Sequence, residues 1–397
     1  MSCSKTFRPQ LLARRPMGAA QSVSNKGLVR HFSQSVQCTA SGSLCYSPGS
    51  SHGKPTNTQS GVGKLSETRR HMTTTSSSSS IHPSSTTNST PSANGSTFSA
   101  SSKEPIIHPV WEAGTSTWQY IVSDPSSSAA AIIDPVLDYD PLTQTISTKA
   151  ADALLDQVIS HKYEITYLLE THAHADHLSA SSYLQARLHE IQGYRPPIGI
   201  GKRIGAVQEL FSRRYGVPKE ETTGVFDKLF DDDEEFTIGN LKATAIHLPG
   251  HTPDHLGYRI GDNVFCGDSL FNPDVGTARC DFPGGSADNL FDSGKKLLNM
   301  APHVKIWTGH DYPPQERPDS IPAMTVQEHR ESNKHLRDGI GRDEFVAMRQ
   351  QRDSSLGAPR LLHQSLQVNI RAGKLPRPNE AGLRLLHLPL RLGDLKW

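Results

Sequence analysis

The sequence predicts an α/β fold in which two β-sheets pack face to face between outer helices, a four-layer αββα sandwich. Two observations predict it. Short apolar runs fall into two groups, within residues 118–169 and 236–307, and segments with apolar residues at helical spacing lie beside them. Histidine and aspartate residues directly follow several of these runs, which places them at strand ends, where α/β sheets gather their ligands.

The charge distribution separates the first 103 residues from the rest of the 397-residue chain. Of 41 basic and 40 acidic residues, eleven basic residues and one acid, Glu67, lie within residues 1–103, a net charge of +10. Residues 104–397 keep 30 basic and 39 acidic residues and therefore carry −9. Since a nucleic-acid-binding domain normally has a basic footprint, we expect no nucleic acid among the partners of this part.

Residues 1–40 have the composition of a mitochondrial transit peptide, because arginine and lysine are spread among serine, alanine and leucine without an acid. The apolar run at residues 11–13 is too short for a secretory signal. Residues 30–35 resemble a matrix-processing site. We therefore expect import into the mitochondrial matrix, and the alternative is a basic arm without a targeting role.

Residues 41–103 are dominated by Ser, Thr, Gly and Asn, and such a segment cannot bury enough apolar surface to offset its ordering entropy. We expect a disordered linker without a catalytic role, followed by a catalytic domain over residues 104–397. The sequence contains no run of ~18 apolar residues, so no transmembrane helix is expected. Only Cys266 and Cys280 lie in the domain, which is too few for a disulfide framework. A homodimer is compatible with the sequence.

The first half of the domain begins with a predicted hairpin. Residues 118–122 and 129–133 are strand-like runs joined by the turn at 124–126. Residues 148–159 carry apolar side chains at helical spacing and predict a helix on one sheet face. The apolar run 165–169 predicts the next strand. Further helices are predicted at 176–188 and 204–215.

The second half repeats this pattern. Residues 236–238 and 242–247 predict a strand pair, and residues 258–260 and 264–266 flank a hairpin turn at 261–263. The remaining elements are predicted as helices at 286–299, 325–337 and 343–352 and a strand at 304–307.

The most informative stretch follows the strand at 165–169, where His172, His174, Asp176 and His177 lie within six residues. Imidazole and carboxylate suit zinc and ferrous iron, whereas a structural zinc site more often uses cysteine, and no cysteine is near. In extended backbone His172, His174 and Asp176 would point to the same side. These residues predict a metal site.

A plainer interpretation of this stretch is a polar turn between strand and helix, with Asp176 or Ser179 capping the helix. Three further residues argue against it, because each follows the end of another short apolar strand: His251, Asp268 and His310. Asp268 alone would be equally well explained as a strand-end cap. Together the seven residues are enough for two metal ions, and spacing alone allows that arrangement.

The motifs HxHxDH, PGH, GD and GH, in this order, resemble the metallo-β-lactamase superfamily. Within it, Ile-Asp-Pro-Val-Leu at 133–137, Arg-Cys-Asp-Phe at 279–282 and His-Asp-Tyr at 310–312 resemble the persulfide dioxygenases, or sulfur dioxygenases, the family of the ethylmalonic encephalopathy protein. Residues 274–278 and 283–285 look more like the bacterial branch, which leaves the thiol carrier open. The resemblance runs from about residue 104 to residue 392.

This resemblance implies a single Fe(2+) per chain, held by His172, His251 and Asp268, with glutathione persulfide and O₂ as substrates. Two imidazoles and one carboxylate on one face leave three coordination positions open. The resemblance assigns the remaining candidates to orienting the ligands, and the alternative is a second metal site: His174, Asp176, His177 and His310.

Arg279 and Tyr312 match the family's pocket arginine and tyrosine, and the resemblance implies that they bind substrate. The alternatives are a salt bridge from Arg279 to Asp281 and an ordinary half-buried aromatic ring at Tyr312. The second function in view is a zinc-pair thioester hydrolase of the glyoxalase II type. A third, a non-catalytic sulfur carrier or scaffold, is weak because every ligand type is present.

Overall fold

The computed structural model describes residues 104–395, so the predicted transit peptide and linker lie outside the described residues. Its strands, in chain order, are β1 (Ile106–Glu112), β2 (Thr117–Ser123), β3 (Ala129–Ile133), β4 (Val136–Asp140), β5 (Thr145–Ser147), β6 (Glu164–Leu169), β7 (Leu178–Ser179), β8 (Ile198–Gly201), β9 (Lys228–Phe230), β10 (Glu234–Ile238), β11 (Leu241–His247), β12 (Leu256–Ile260), β13 (Asn263–Phe265), β14 (Lys305–Trp307) and β15 (Ala323–Thr325). The α-helices are α1 (Lys149–His161), α2 (Ser181–Gln192), α3 (Ile204–Tyr215), α4 (Ala287–Leu298), α5 (Val326–Ser332), α6 (Arg342–Asp353) and α7 (Leu362–Asn369), with a 3₁₀ turn at Lys219–Glu221.

The strands form two six-stranded sheets in the orders β1-β2-β3-β6-β8-β9 and β10-β11-β12-β13-β14-β15, and a small sheet β5-β4-β7. In the first sheet β1, β2 and β3 are antiparallel and β3, β6, β8 and β9 are parallel. In the second, only β13 and β14 are parallel. The predicted hairpins β2–β3 and β12–β13 are confirmed.

Three hydrophobic clusters give the layer order. The middle cluster joins side chains of both sheets, such as Tyr120 and Phe265, whose rings lie 5.0 Å apart. A second cluster packs the outer face of the first sheet against α1, α2, α3 and α7, and a third packs the second sheet against α4 and α6. The domain is therefore the αββα sandwich that the sequence predicts.

Two predicted helices have different bounds. The helix predicted at 176–188 begins at Ser181, because Leu178 and Ser179 instead pair with Leu137 and Val136 as strand β7. The helix predicted at 325–337 ends at Ser332, since the side chain of Asn333 accepts the backbone N–H groups of His335 and Leu336 and turns the chain. Besides β7, the elements that sequence patterns missed are short or edge elements: β1, β4, β5, β8, β9, β15 and α7.

Within residues 104–395, the helices lack the combination of length and apolar character that a bilayer span requires. Cys266 and Cys280 are both free and buried. Burial raises the pKa of each thiol to about 12, so both are protonated near neutral pH. This agrees with the prediction that the domain has no disulfide framework.

Candidate metal centre

His172, His251 and Asp268 lie together at one edge of the sandwich, although 79 residues separate the first two in sequence. Each follows the end of a strand, β6, β11 or β13 respectively. One potential ligand atom from each residue lies within 4.8 Å of the others. His251 Nε2 is 3.7 Å from Asp268 Oδ2, and the rings of His172 and His251 are perpendicular with centroids 5.1 Å apart.

This group has the chemistry of a metal site. His172 Nε2 and Asp268 Oδ1 are buried and have no hydrogen-bond partner among the described residues. Buried polar atoms are normally paired, and a cation bound between these atoms would satisfy both. Burial, reinforced by the neighbouring His174, holds the pKa of His172 well below its usual range, which leaves the neutral imidazole that binds metals. The three residues therefore fit a divalent cation.

Neighbouring groups fix which nitrogen of each imidazole faces the site. His251 Nδ1 is 2.7 Å from the carbonyl oxygen of Arg279, so it donates there and leaves Nε2 for a metal. His172 Nδ1 is 2.9 Å from Thr171 Oγ1, whose hydroxyl donates to Asp134 Oδ2 at 2.9 Å. Both imidazoles thus use Nδ1 within the protein and keep Nε2 for a metal.

A second group lies beside the first. His174, Asp176 and His177 each place one potential ligand atom within 4.8 Å of the others. The backbone is not regularly extended here, so His172 and His174 belong to different groups although their ring centroids are only 4.1 Å apart. His310 lies between the groups, with Nε2 3.1 Å from Asp176 Oδ2 and 3.6 Å from Asp268 Oδ1.

Carboxylates surround two of these histidines. His174 Nε2 lies 3.1 Å from Asp134 Oδ1 and 3.3 Å from Glu170 Oε2. Burial alone would lower the pKa of His174, but Asp134 and Glu170 outweigh it and raise this pKa well above the usual range. Burial is likewise outweighed at His310, where Asp268 and Asp176 raise the pKa to about 10. Each of these two imidazoles therefore lies beside two carboxylates.

The first group opens into a cavity of about 420 Å³ that Arg279 and Tyr312 also line. Arg279 Nε and Nη2 donate to the two carboxylate oxygens of Asp281 at 2.5 Å each. The ion pair with Asp281, the alternative role of Arg279, is therefore present. Tyr312 is 48% exposed, and its ring stacks on that of His310 with centroids 5.8 Å apart. Both residues are in position to contact a bound substrate, and substrate binding stays a prediction.

Sequence patterns missed two residues that hold the site together. His255 Nε2 accepts the backbone N–H of Asp268 at 3.0 Å, and its ring stacks near that of His172 with centroids 4.8 Å apart. Asp134 accepts the backbone N–H of Thr171 at 2.7 Å. The spacing of His255 four residues after His251 was a weak signal. In the sequence, Asp134 is distinguished only as part of the family motif at residues 133–137.

Comparison with known proteins gives a family match and several relatives. A family model described as the metallo-beta-lactamase superfamily matches residues 114–310. The chain is 45% identical over 282 residues to glyoxylase B2 of Dictyostelium discoideum, covering 70% of this chain and 94% of that protein. It is 40% identical over 292 residues to a probable metallo-hydrolase of Burkholderia pseudomallei, covering 70% and 97%.

Two more distant matches carry the name ETHE1. The chain is 26% identical over 271 residues to the mitochondrial persulfide dioxygenase ETHE1 of Bos taurus, covering 68% of this chain and 89% of that protein. Among solved structures, ETHE1 from Myxococcus xanthus aligns with a TM-score of 0.54 and 24% identity, covering 68% of this chain and all of that one. At that identity the likeness shows the fold alone.

Proposed function

The chain belongs to the metallo-beta-lactamase superfamily, and from that membership we propose that it is a persulfide dioxygenase with one Fe(2+) per chain. One observation carries the proposal. His172, His251 and Asp268 form a three-residue group, whereas the next histidine of the motif, His174, does not join it and directs its Nε2 toward Asp134 and Glu170. Two imidazoles and one carboxylate are the ligand set of non-haem iron oxygenases.

The reaction consumes one O₂ for each persulfide. Glutathione persulfide anion, O₂ and water give glutathione, sulfite and one proton. The S–S bond breaks, the outer sulfur leaves as sulfite with three new S–O bonds, and the inner sulfur becomes the thiol. The persulfide as a whole loses four electrons, and O₂ takes up all four. No further oxidant or reductant is required.

The residues of the metal centre and of the adjacent cavity favour this reaction through their positions and their charges. His172, His251 and Asp268 would hold ferrous iron, which would supply the redox chemistry that joins sulfur to O₂. Asp268 is the sole anion of the three-residue group, so the group as a whole suits a dication that also accepts an anionic persulfide. The cavity beside it is lined by both polar and apolar side chains, and Tyr312 presents its half-exposed ring there.

A zinc-pair thioester hydrolase is the second candidate, and a specific observation favours it. His174, Asp176 and His177 form a second group of potential ligands next to the first. A hydrolase of this kind needs a metal-bound hydroxide between two ions. Two of the more similar relatives also carry the names glyoxylase B2 and probable metallo-hydrolase. This candidate predicts thioester cleavage without O₂ consumption.

Metal content and O₂ uptake distinguish the two candidates. Protein purified without oxygen should contain about one iron per chain, and adding glutathione persulfide should consume O₂ and release sulfite in equal amounts. S-lactoylglutathione, a thioester, serves as the alternative substrate under the same conditions. Two zinc ions per chain, with cleavage of the thioester and no O₂ uptake, would overturn the proposal and support the hydrolase.

A further inference from the structure

One wall of the cavity beside the metal centre is built by the C-terminal part of the domain. The chain from the end of α6 to the start of α7 contributes Arg352, Leu356, Pro359 and Arg360 to the lining. The same cavity is also lined by His251 and Asp268 of the metal centre. A substrate bound to the metal would therefore extend toward this wall.

Two of the four arginines lining the cavity are engaged within the protein. Arg279 forms the two-pronged ion pair with Asp281. Arg349 is buried, donates from Nε and Nη2 to Asp353 Oδ1 at 3.0 and 2.7 Å, and donates from Nη1 to the carbonyl oxygen of Thr277 at 3.2 Å. The hydrogen-bonding edges of these guanidinium groups are thus largely occupied.

Arg352 and Arg360 differ from these two. Both are exposed, and within residues 104–395 neither guanidinium makes a hydrogen bond or lies within 4.0 Å of a carboxylate oxygen. The positive charge of Arg352 contributes, after burial, to lowering the pKa of Lys334, which places these two cations close together. Four arginines thus line one cavity of a domain whose net charge is −9.

Arg360 also lines a neighbouring cavity of about 460 Å³. Gly114 and Thr115 line both cavities as well, so the two adjoin at these residues and Arg360 lies at their boundary. Arg360 can therefore contact a ligand bound in either cavity.

We infer that Arg352 and Arg360 form a carboxylate-binding subsite that selects the thiol carrier of the substrate. This inference rests on the proposed function. Glutathione carries two carboxylates at opposite ends of a tripeptide, and a guanidinium with unused donors can bind a carboxylate through two hydrogen bonds. Arg279, the arginine that the family resemblance assigns to substrate binding, already uses Nε and Nη2 for its hydrogen bonds to Asp281.

Equilibrium binding of glutathione to the metal-loaded full chain tests the subsite directly. Arg352→Gln and Arg360→Gln should each weaken binding of glutathione by about tenfold, the effect of losing one charge-assisted contact. Arg352→Lys and Arg360→Lys should keep most of the affinity. Glutathione diethyl ester, which has no free carboxylate, should bind the wild type and both Gln variants with the same affinity. Arg330→Gln is the matched control, since Arg330 is an exposed arginine paired with Asp338.

Turnover gives an independent measurement. For the double variant Arg352→Gln/Arg360→Gln, the ratio of kcat/KM for glutathione persulfide to kcat/KM for 2-mercaptoethanol persulfide should fall at least tenfold. Equal glutathione affinity in the wild type and the double variant would overturn the subsite, as would equal weakening of acid and ester. If no persulfide is oxidised by the wild type, the proposed function fails, whereas the binding measurements still decide the subsite.

Discussion

Asp134 connects three parts of the metal centre through a single carboxylate. Oδ1 accepts the backbone N–H of Thr171 and faces His174 Nε2 at 3.1 Å, and Oδ2 accepts the Thr171 hydroxyl that orients His172. The residue has a left-handed backbone with φ of 51°. Aspartate tolerates this conformation better than most residues because its short side chain bonds locally.

Replacing Asp134 with alanine should lower the free energy of unfolding by about 3–5 kcal/mol, because the buried His174 loses a charged partner and Thr171 loses its acceptor. Urea unfolding of the purified variant measures this. Asp156→Ala is the control: Asp156 is exposed on α1, and its replacement should change the free energy by less than about 0.5 kcal/mol. Equal stability of the two variants would contradict the network described.

His251→Ala should lose the bound metal while the fold persists. Its imidazole is one of three potential ligands and is held by a hydrogen bond to the carbonyl oxygen of Arg279, so its loss removes a ligand without leaving a core cavity. Elemental analysis and circular dichroism check the two halves of the prediction. His303→Ala, at an exposed surface histidine, should retain metal. A His251→Ala protein that keeps its iron would show that the ligand assignment is wrong.

The seven candidate ligands could be predicted because histidine and aspartate directly after apolar strands are uncommon without a function. The structure brings all of them to one edge of the sandwich, in two adjoining groups with His310 between them. The supporting role of His255 could not be predicted, because it depends on a backbone N–H thirteen residues later in sequence. Such contacts exist only once the two sheets have packed.

At the level of elements, the close approach of α4 to the loop carrying His251 fixes where that loop runs. Gly250 has φ of 146°, and a Cβ there would lie 2.4 to 2.5 Å from backbone atoms of Leu290 in α4. The first residue of α4 follows Ser286, whose hydroxyl accepts the backbone N–H of Asn289 as an N-cap. A side chain at residue 250 must displace either the helix or the loop.

Gly250→Ala should therefore destabilise the protein by more than about 2 kcal/mol and weaken metal binding, since His251 moves with the loop. Thermal unfolding with and without added Fe(2+) measures both effects. The control Gly205→Ala lies in α3, where a Cβ meets nothing within 4 Å, and it should be neutral or stabilising by up to about 1 kcal/mol. Normal metal affinity in Gly250→Ala would refute the packing argument.

The buried His329 of α5 makes the free energy of unfolding depend on pH. Burial lowers the pKa of His329 to about 4, below the usual value of about 6.5 for an unfolded chain. The folded state therefore binds fewer protons than the unfolded state between these values, so this contribution to stability is present above pH ~6.5 and is lost as the pH falls toward 4. The loss amounts to about 3 kcal/mol.

Urea unfolding at several pH values tests this contribution. His329→Gln should show a smaller loss of stability between pH 6.5 and 4 than the wild type, because the titrating group is gone. His189→Gln, which changes an exposed histidine on α2, should keep the wild-type dependence. Parallel pH profiles for the wild type and His329→Gln would exclude this residue as the source.

Element types were more predictable than element bounds. The strands before His172, His251, Asp268 and His310 follow from apolar runs cut off by turn residues. The start of α2 did not follow, because Leu178 and Ser179 leave the helical pattern only through pairing with β4 in the small sheet. Strands β8 and β9 have only four and three residues, too few for a pattern that identifies a strand, and their neighbours in the sheet decide their conformation.

At the scale of the whole chain, two segments of opposite net charge follow one another, +10 over residues 1–103 and −9 over residues 104–397. The family match lies entirely within the acidic domain, at residues 114–310. Residue Glu104 is where the described structure begins, and its carboxylate accepts a hydrogen bond from Asn263 Nδ2 at 2.8 Å. This hydrogen bond ties the first described residue to strand β13 of the second sheet, and the boundary at residue 104 stays a prediction.

For the segment before this boundary we propose a targeting role for residues 1–40, which contain six basic residues and no acid. A fluorescent reporter carrying residues 1–40 at its N-terminus should accumulate in mitochondria, because the membrane potential draws a cationic presequence inward. Replacing the arginines within residues 1–40 by glutamine should abolish this accumulation. A reporter carrying residues 41–103, which also have a positive net charge but an acid and a Ser/Thr-rich composition, should stay outside. If both reporters distribute alike, the segment is a basic arm and the matrix location of the enzyme is wrong.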